Sequence, residues 1–261
     1  MTGAGAVAGL VLLEWSVGWI AVAAWSQSWS VVRRGHFRII GWGVLFLTAI
    51  VRYLYSSDDS GIGDGARSTV IVLGVLAILY LLVQYSRTDV PGIVVGSAAG
   101  VAGTVALVLT AGDIAGWPQW LAGIELIAGA ALLGAVTNGM LLGHWYLNQP
   151  GLKPWALARL TQLALAATVA TGLLGLIAVN RLAGASTEGS VLGLPGFGES
   201  FGAVFFGAWV LLLGFTGAVV WMAKRCIQIR SIQSATGLYY VALLTAGVSE
   251  FVVRYLMVNA A

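Results

Sequence analysis

Eight long apolar stretches, joined by loops that carry nearly all of the charge, decide what this chain can become. A stretch of about 20 apolar residues crosses a hydrocarbon core of about 30 Å. The chain therefore reads as an all-α polytopic membrane protein of eight transmembrane helices. The expected spans are Ala6–Ser30, Ile39–Ser56, Ser68–Tyr85, Gly92–Leu109, Pro118–Tyr146, Trp155–Asn180, Gly202–Ala223 and Ser234–Met257. Composition agrees, with 59% hydrophobic residues, 9% charged residues and a mean hydropathy of +0.92. A soluble domain carries about 25% charged residues. Proline falls at the expected breaks: Pro91, Pro118 and Pro154 at helix starts, Pro150 and Pro195 in loops. The two long connections are Asp58–Arg67 and Leu182–Ser200. The second is rich in Gly and Ser, holds Phe197 and runs into Phe201, so it is expected to lie along the membrane interface.

Glycine is over-represented, with 36 residues against a usual share of about 7%. In lipid, small residues let helix backbones approach closely. Gly96, Gly100 and Gly103, interleaved with Ala98, Ala99 and Ala102, predict a tightly packed fourth span. Cys226 is the single cysteine, which excludes disulfides within the chain, thiolate zinc sites and iron–sulfur clusters. Met1 to Val11 lacks a basic n-region, so no cleavable signal peptide is expected. The formal charge of +3 reflects topology and gives no indication of nucleic acid.

Orientation follows from lysine and arginine. The first, third, fifth and seventh connections hold Arg33, Arg34, Arg38, Arg87, Lys153, Arg159, Lys224, Arg225 and Arg230. The opposite side has Arg52, Arg67, Arg181 and Arg254 with the acids Asp58, Asp59, Asp64, Asp113, Glu188 and Glu199. The first set is expected in the cytoplasm, which puts both termini outside, in a multi-pass protein of the cell membrane.

The pattern also suggests an internal duplication. The first span contains Glu14 and Gly18 and is followed by Gly35-His36-Phe37; the fifth contains Glu125 and Gly129 and ends in Gly143-His144-Trp145. Residues 1–116 and 117–261 would then be two four-helix repeats. With four spans each, they would be parallel, related by an axis along the membrane normal.

Charges inside spans are expensive and usually face the bundle interior. Glu14 and Glu125 are thus candidate proton-handling carboxylates. They equally admit a structural role, paired with Arg52, Arg181 or Arg254. Glu250 and Arg254, four apart, can pair on one helix face, and Arg52-Tyr53-Leu54 recurs as Arg254-Tyr255-Leu256. These arginines either snorkel to the outer interface or join Glu14 and Glu125 in a polar cluster opening outward. His36 and His144, the only histidines, would sit at similar depth at the cytoplasmic end. They are candidates for bis-imidazole ligation of one haem b, for hydrogen bonding a quinone, or for interfacial roles with no redox function; the arginines around His36 favour a solvated or headgroup setting. Asn138 with Trp145, and Thr137 with His144, are seven apart on one helix, and the polar-aromatic run from Gly143 to Pro154 would suit a planar quinone ring.

This organisation resembles the integral membrane anchor subunits of the polysulfide-reductase and dimethyl-sulfoxide-reductase type: eight helices in two four-helix units with outside termini. The resemblance covers the whole chain as architecture and carries over no site residue. It implies a subunit that exchanges electrons between a quinol and a redox protein partner while anchored in the lipid bilayer. Glu14 or Glu125 would then handle the quinol proton, and His144 or an outer arginine would bond a quinone oxygen. Two other readings stay open: a proton-coupled small-solute transporter built from parallel repeats, and a non-catalytic scaffold subunit.

Overall fold

The computed structural model describes residues 4–56, 61–146, 148–149, 151–185 and 200–259, and every regular element among them is a helix. Eight are long and apolar enough to cross a membrane: α1 (Ala4–Gln27), α2 (Arg34–Leu54), α3 (Asp64–Val83), α4 (Val90–Gly112), α5 (Gln119–Trp145), α6 (Trp155–Ile177), α8 (Phe201–Gln228) and α9 (Ile232–Asn259). A four-residue turn of helix, α7 (Val179–Leu182), follows α6. Pro91 lies in the first turn of α4, and Pro118 and Pro154 immediately precede α5 and α6.

Several helices outrun the apolar stretches. α2 begins at Arg34 rather than near Ile39, α3 begins at Asp64, and α8 continues through Lys224 and Arg225. Hydropathy marks only the turns that meet hydrocarbon, whereas the backbone goes on hydrogen-bonding into the headgroup layer, where charged side chains remain solvated. Phe201 is fully buried at the start of α8. The expected interfacial course of the loop before it, with Phe197, lies outside the described residues.

The helices close into two rings. α1 to α4 pack in sequence and α4 returns to α1; α5, α6, α8 and α9 do the same. The rings meet where α1 lies on α5, flanked by α4 on α5 and α9 on α1. Consequently α1 and α5 are the central helices, 72% and 78% buried, while the other six are between 28% and 44% buried. Glycine makes the contact: a Cβ added to Gly18 would lie 1.7 Å from the Ala130 carbonyl oxygen, and one on Gly134 would meet the Gly18 backbone at 2.2 Å. The fourth helix packs as its glycines predict, with Gly96 on Ala24, Gly100 on Ala21 and Gly103 on Val17.

Loops at the two ends interlock. Gln149 accepts from the Arg33 N–H at 3.0 Å and donates to the Val31 carbonyl at 2.8 Å, while Arg34 pairs with Asp89 at 3.1 Å. The Arg159 guanidinium lies over Trp155 at 4.7 Å. This is the end rich in lysine and arginine. At the other, Asp113 accepts from the Gly63 N–H at 2.9 Å, and Arg181 donates to the Gly116 carbonyl.

Candidate functional site: a buried ionic cluster at the seam

Four ionisable side chains converge where the two rings meet, in the halves of α1, α5 and α9 farther from the basic end. Glu14 comes from the first ring; Glu125, Glu250 and Arg254 come from the second. The spacing of Glu250 and Arg254 aligns them on one face of α9. All four are buried, Glu125 being the most accessible at 4%. Room is made by Gly129, one turn beyond Glu125. A Cβ there would lie 2.6 Å from Glu250 Oε2 and 2.7 Å from both Arg254 Nη2 and Glu14 Oε1.

Arg254 is the hub. Its Nε donates to Glu14 Oε1 at 2.9 Å. Nη2 donates to Glu250 Oε2 at 2.8 Å and to the Glu125 carbonyl oxygen at 2.9 Å, and Nη1 reaches Glu125 Oε2 at 3.4 Å. One oxygen of each carboxylate is thereby held. The other three, Glu14 Oε2, Glu125 Oε1 and Glu250 Oε1, are buried with no hydrogen-bond partner. Three carboxylates around one guanidinium leave two formal negative charges when all are ionised. Uncompensated charge in so dry a place is expensive, and the cheapest remedy is to bind protons. Among the described residues, no group of three His, Cys, Asp or Glu side chains is arranged to hold a metal ion.

The remaining candidates are dispersed. Arg52 does not join Arg254: it is exposed, on a lipid-facing groove between α2 and α3 with Thr48 and Val70. Arg254 does not snorkel, because its guanidinium is held from three sides. His36 is not solvated despite its arginine neighbours. α2 already begins at Arg34, so His36 turns inward, 2% exposed, edge-on to Phe37 and Trp145 at ring distances of 5.1 and 5.7 Å. His144 is exposed and lines a cleft of about 520 Å³ between α5 and α9, with Tyr146, Gln233, Thr236 and Tyr240. Trp145 packs away from that cleft, on Gly35 and His36, and its indole N–H donates to Gln149 at 3.1 Å. Asn138 is fully buried and ties α5 to α1, donating to the Trp19 carbonyl at 3.1 Å and the Gly134 carbonyl at 2.8 Å.

One expected partnership is broken by distance. Glu125 and His144 stand 19 residues apart on α5, about 28 Å along a helix that rises about 1.5 Å per residue. They cannot serve the same ring. The four-residue spacing marks Glu250 only as a helical partner of Arg254; the packing makes it a full member of the cluster.

Comparison with known proteins finds no matching family model, no similar curated protein and no similar solved structure. The functional reading therefore rests on this geometry.

Proposed function

We propose that the chain is a proton-coupled transporter of the cell membrane, with Glu14, Glu125, Glu250 and Arg254 as its coupling element. One observation carries the reading: three buried carboxylates share one guanidinium across the seam between two four-helix rings. Intramembrane carboxylates suit proton coupling, and the ring arrangement supports treating 1–116 and 117–261 as parallel repeats. With two protons bound, the cluster is neutral and the rings close over it. Loss of those protons leaves negative charges that repel one another and demand water, which favours parting of Glu14 from the α5–α9 side. Proton occupancy and the relative position of the rings are thus linked.

Infrared difference spectra of the wild type should contain the C=O stretch of a protonated carboxylic acid, weakened by Glu14→Gln, Glu125→Gln or Glu250→Gln. With transported solute present, a proton gradient across proteoliposomes should collapse faster with the wild type than with these variants. A wild type that lacks the band, or that discharges the gradient no faster than the variants, sinks the reading.

The cleft at His144 favours a second reading, a quinone-binding membrane subunit that anchors a redox protein partner. A cleft of about 520 Å³ falls in the range of small-molecule sites, about 300–1,000 Å³. His144, Thr236 and Tyr240 there offer hydrogen bonds to a quinone oxygen. Quinone retained by the purified protein and lost in His144→Ala would support this reading, and an optical band of haem b lost in the same variant would make the chain a cytochrome. Neither signal would leave the cluster as the working site.

A further inference from the structure

Beside Glu125 the cluster touches a second set of polar atoms that its ion pairs leave unused. A narrow crevice between α5, α6, α8 and α9 is lined by Glu125, Thr171, Gly175, Trp209, Val253 and Arg254. Three polar atoms of its lining residues are buried without a hydrogen-bond partner: Glu125 Oε1, Thr171 Oγ1 and the Trp209 indole nitrogen. Each belongs to a side chain at least nine-tenths buried. Nearly all buried polar groups in proteins are hydrogen-bonded, and leaving one unmade is costly. Three such atoms on side chains that line one crevice point to a ligand that both donates and accepts, and is very small.

We propose that this crevice binds a single water molecule, accepting from the Trp209 N–H, bonding the Thr171 hydroxyl and donating to Glu125 Oε1, and that the cluster exchanges its proton there. The chemistry fits each atom: the indole can only donate, an ionised carboxylate can only accept, and a hydroxyl does either. Access is controlled by Trp209. The tip of its six-membered ring lies against α6 at Gly175, where a Cβ would sit 2.0 Å from Cη2. The crevice as it stands is narrower than a water molecule, so entry requires a small parting of α6 from α8. Gly175 is the hinge face for that movement because it presents no side chain to the sliding ring. A proton delivered from the aqueous side to the water as the crevice opens is matched by transfer of a proton from the water to Glu125 Oε1, so the water relays it and is left neutral.

The exchange role rests on the proposed function, whereas the water site does not. Two measurements on the full-length protein in lipid keep them apart. Hydroxyl-radical footprinting by radiolysis labels buried side chains that touch ordered water. Wild-type Trp209 should be labelled, and Thr171→Val should abolish the labelling. Transfer to deuterated water, followed by the infrared carboxylic acid band, reads the proton. Exchange should slow about tenfold in both Thr171→Val and Trp209→Phe, which remove one water partner each, while the band keeps its full intensity in both and weakens in Glu125→Gln. An unlabelled wild-type Trp209 together with unchanged exchange overturns the proposal. Labelling without any acid band keeps the water and overturns both the exchange role and the coupling function.

Discussion

Among the described residues, two buried polar clusters are built on opposite principles. The first, Glu14, Glu125, Glu250 and Arg254, joins the two rings, is charged and has more acceptors than donors can fill. The second lies inside the first ring near the basic end and is neutral. Gln27 donates to Gln84 Oε1 at 2.8 Å, Gln84 returns a bond to Gln27 Oε1 at 3.3 Å, and the Tyr80 hydroxyl donates to Gln27 Oε1 at 3.2 Å. Each sits against a glycine, Gly129 for the ionic cluster and Gly92 for the amides, where a Cβ would lie 2.5 Å from Gln27 Nε2. In the reciprocal amide pair every side-chain nitrogen and oxygen has a partner, and the pair acts as a lock. An over-supplied carboxylate cluster keeps capacity for protons, and that surplus marks it as the functional one.

The largest effect should come from removing the hub. Arg254→Leu leaves three buried carboxylates without a cation, and breaking a buried ion pair from one side costs about 3–5 kcal/mol. Thermal unfolding in detergent should show a large fall in midpoint or no folded protein. Arg52→Leu, at an exposed arginine in the same sequence motif, should leave the midpoint nearly unchanged. Equal losses would mean that the seam does not depend on Arg254.

Next come the glycines. Gly129→Ala and Gly92→Ala both force a methyl group against polar side chains, and overpacking of this kind costs about 1–3 kcal/mol. Gly129→Ala should be the more damaging. The methyl there meets three members of an ion cluster at once, whereas at Gly92 it meets the ends of two glutamines. The two midpoints, compared in one detergent, decide the order.

The amide lock makes a non-additive prediction. Gln27→Leu or Gln84→Leu alone leaves a buried amide unpaired, at about 1–3 kcal/mol each, while the double variant removes both partners and should be far less destabilised than the sum. A double-mutant cycle on unfolding midpoints measures the difference; additive losses would dissolve the lock.

How much of this was legible in the sequence differs between the clusters. Glu14 and Glu125 stand out because an ionisable residue inside an apolar span is costly, and Glu250 with Arg254 shows the spacing of a helical pair. Their convergence was not legible, because it depends on α1 lying against both α5 and α9, which is a matter of tertiary packing. The eight spans and the glycine-rich face of α4 were readable, since both follow from local composition. Gln27 and Gln84 gave no signal: an uncharged polar residue at the end of a span looks like any interfacial one. His36 misled for a related reason. Its arginine neighbours suggest solvent, but consecutive helical residues point in directions about 100° apart, so one basic run holds exposed and buried positions together.

The smallest effect on stability should fall where the effect on function is greatest. Glu125→Gln replaces a carboxylate by an amide of nearly the same shape in a cluster that has too many acceptors. The amide oxygen can keep the bond from Arg254 Nη1, and the NH₂ takes the place of Oε1, which has no partner to lose. One formal negative charge is also removed from a site with two in excess. Stability should therefore change by less than about 1 kcal/mol in either direction, as for a volume-conserving exchange that leaves no group unpaired, while proton uptake at this position is abolished. The contrast with the amides is then complete, for the same unfolding measurement on Gln84→Leu should register a loss. A large destabilisation in Glu125→Gln would show instead that all three carboxylates are needed ionised, and would place the ionic cluster beside the amide pair as a second lock.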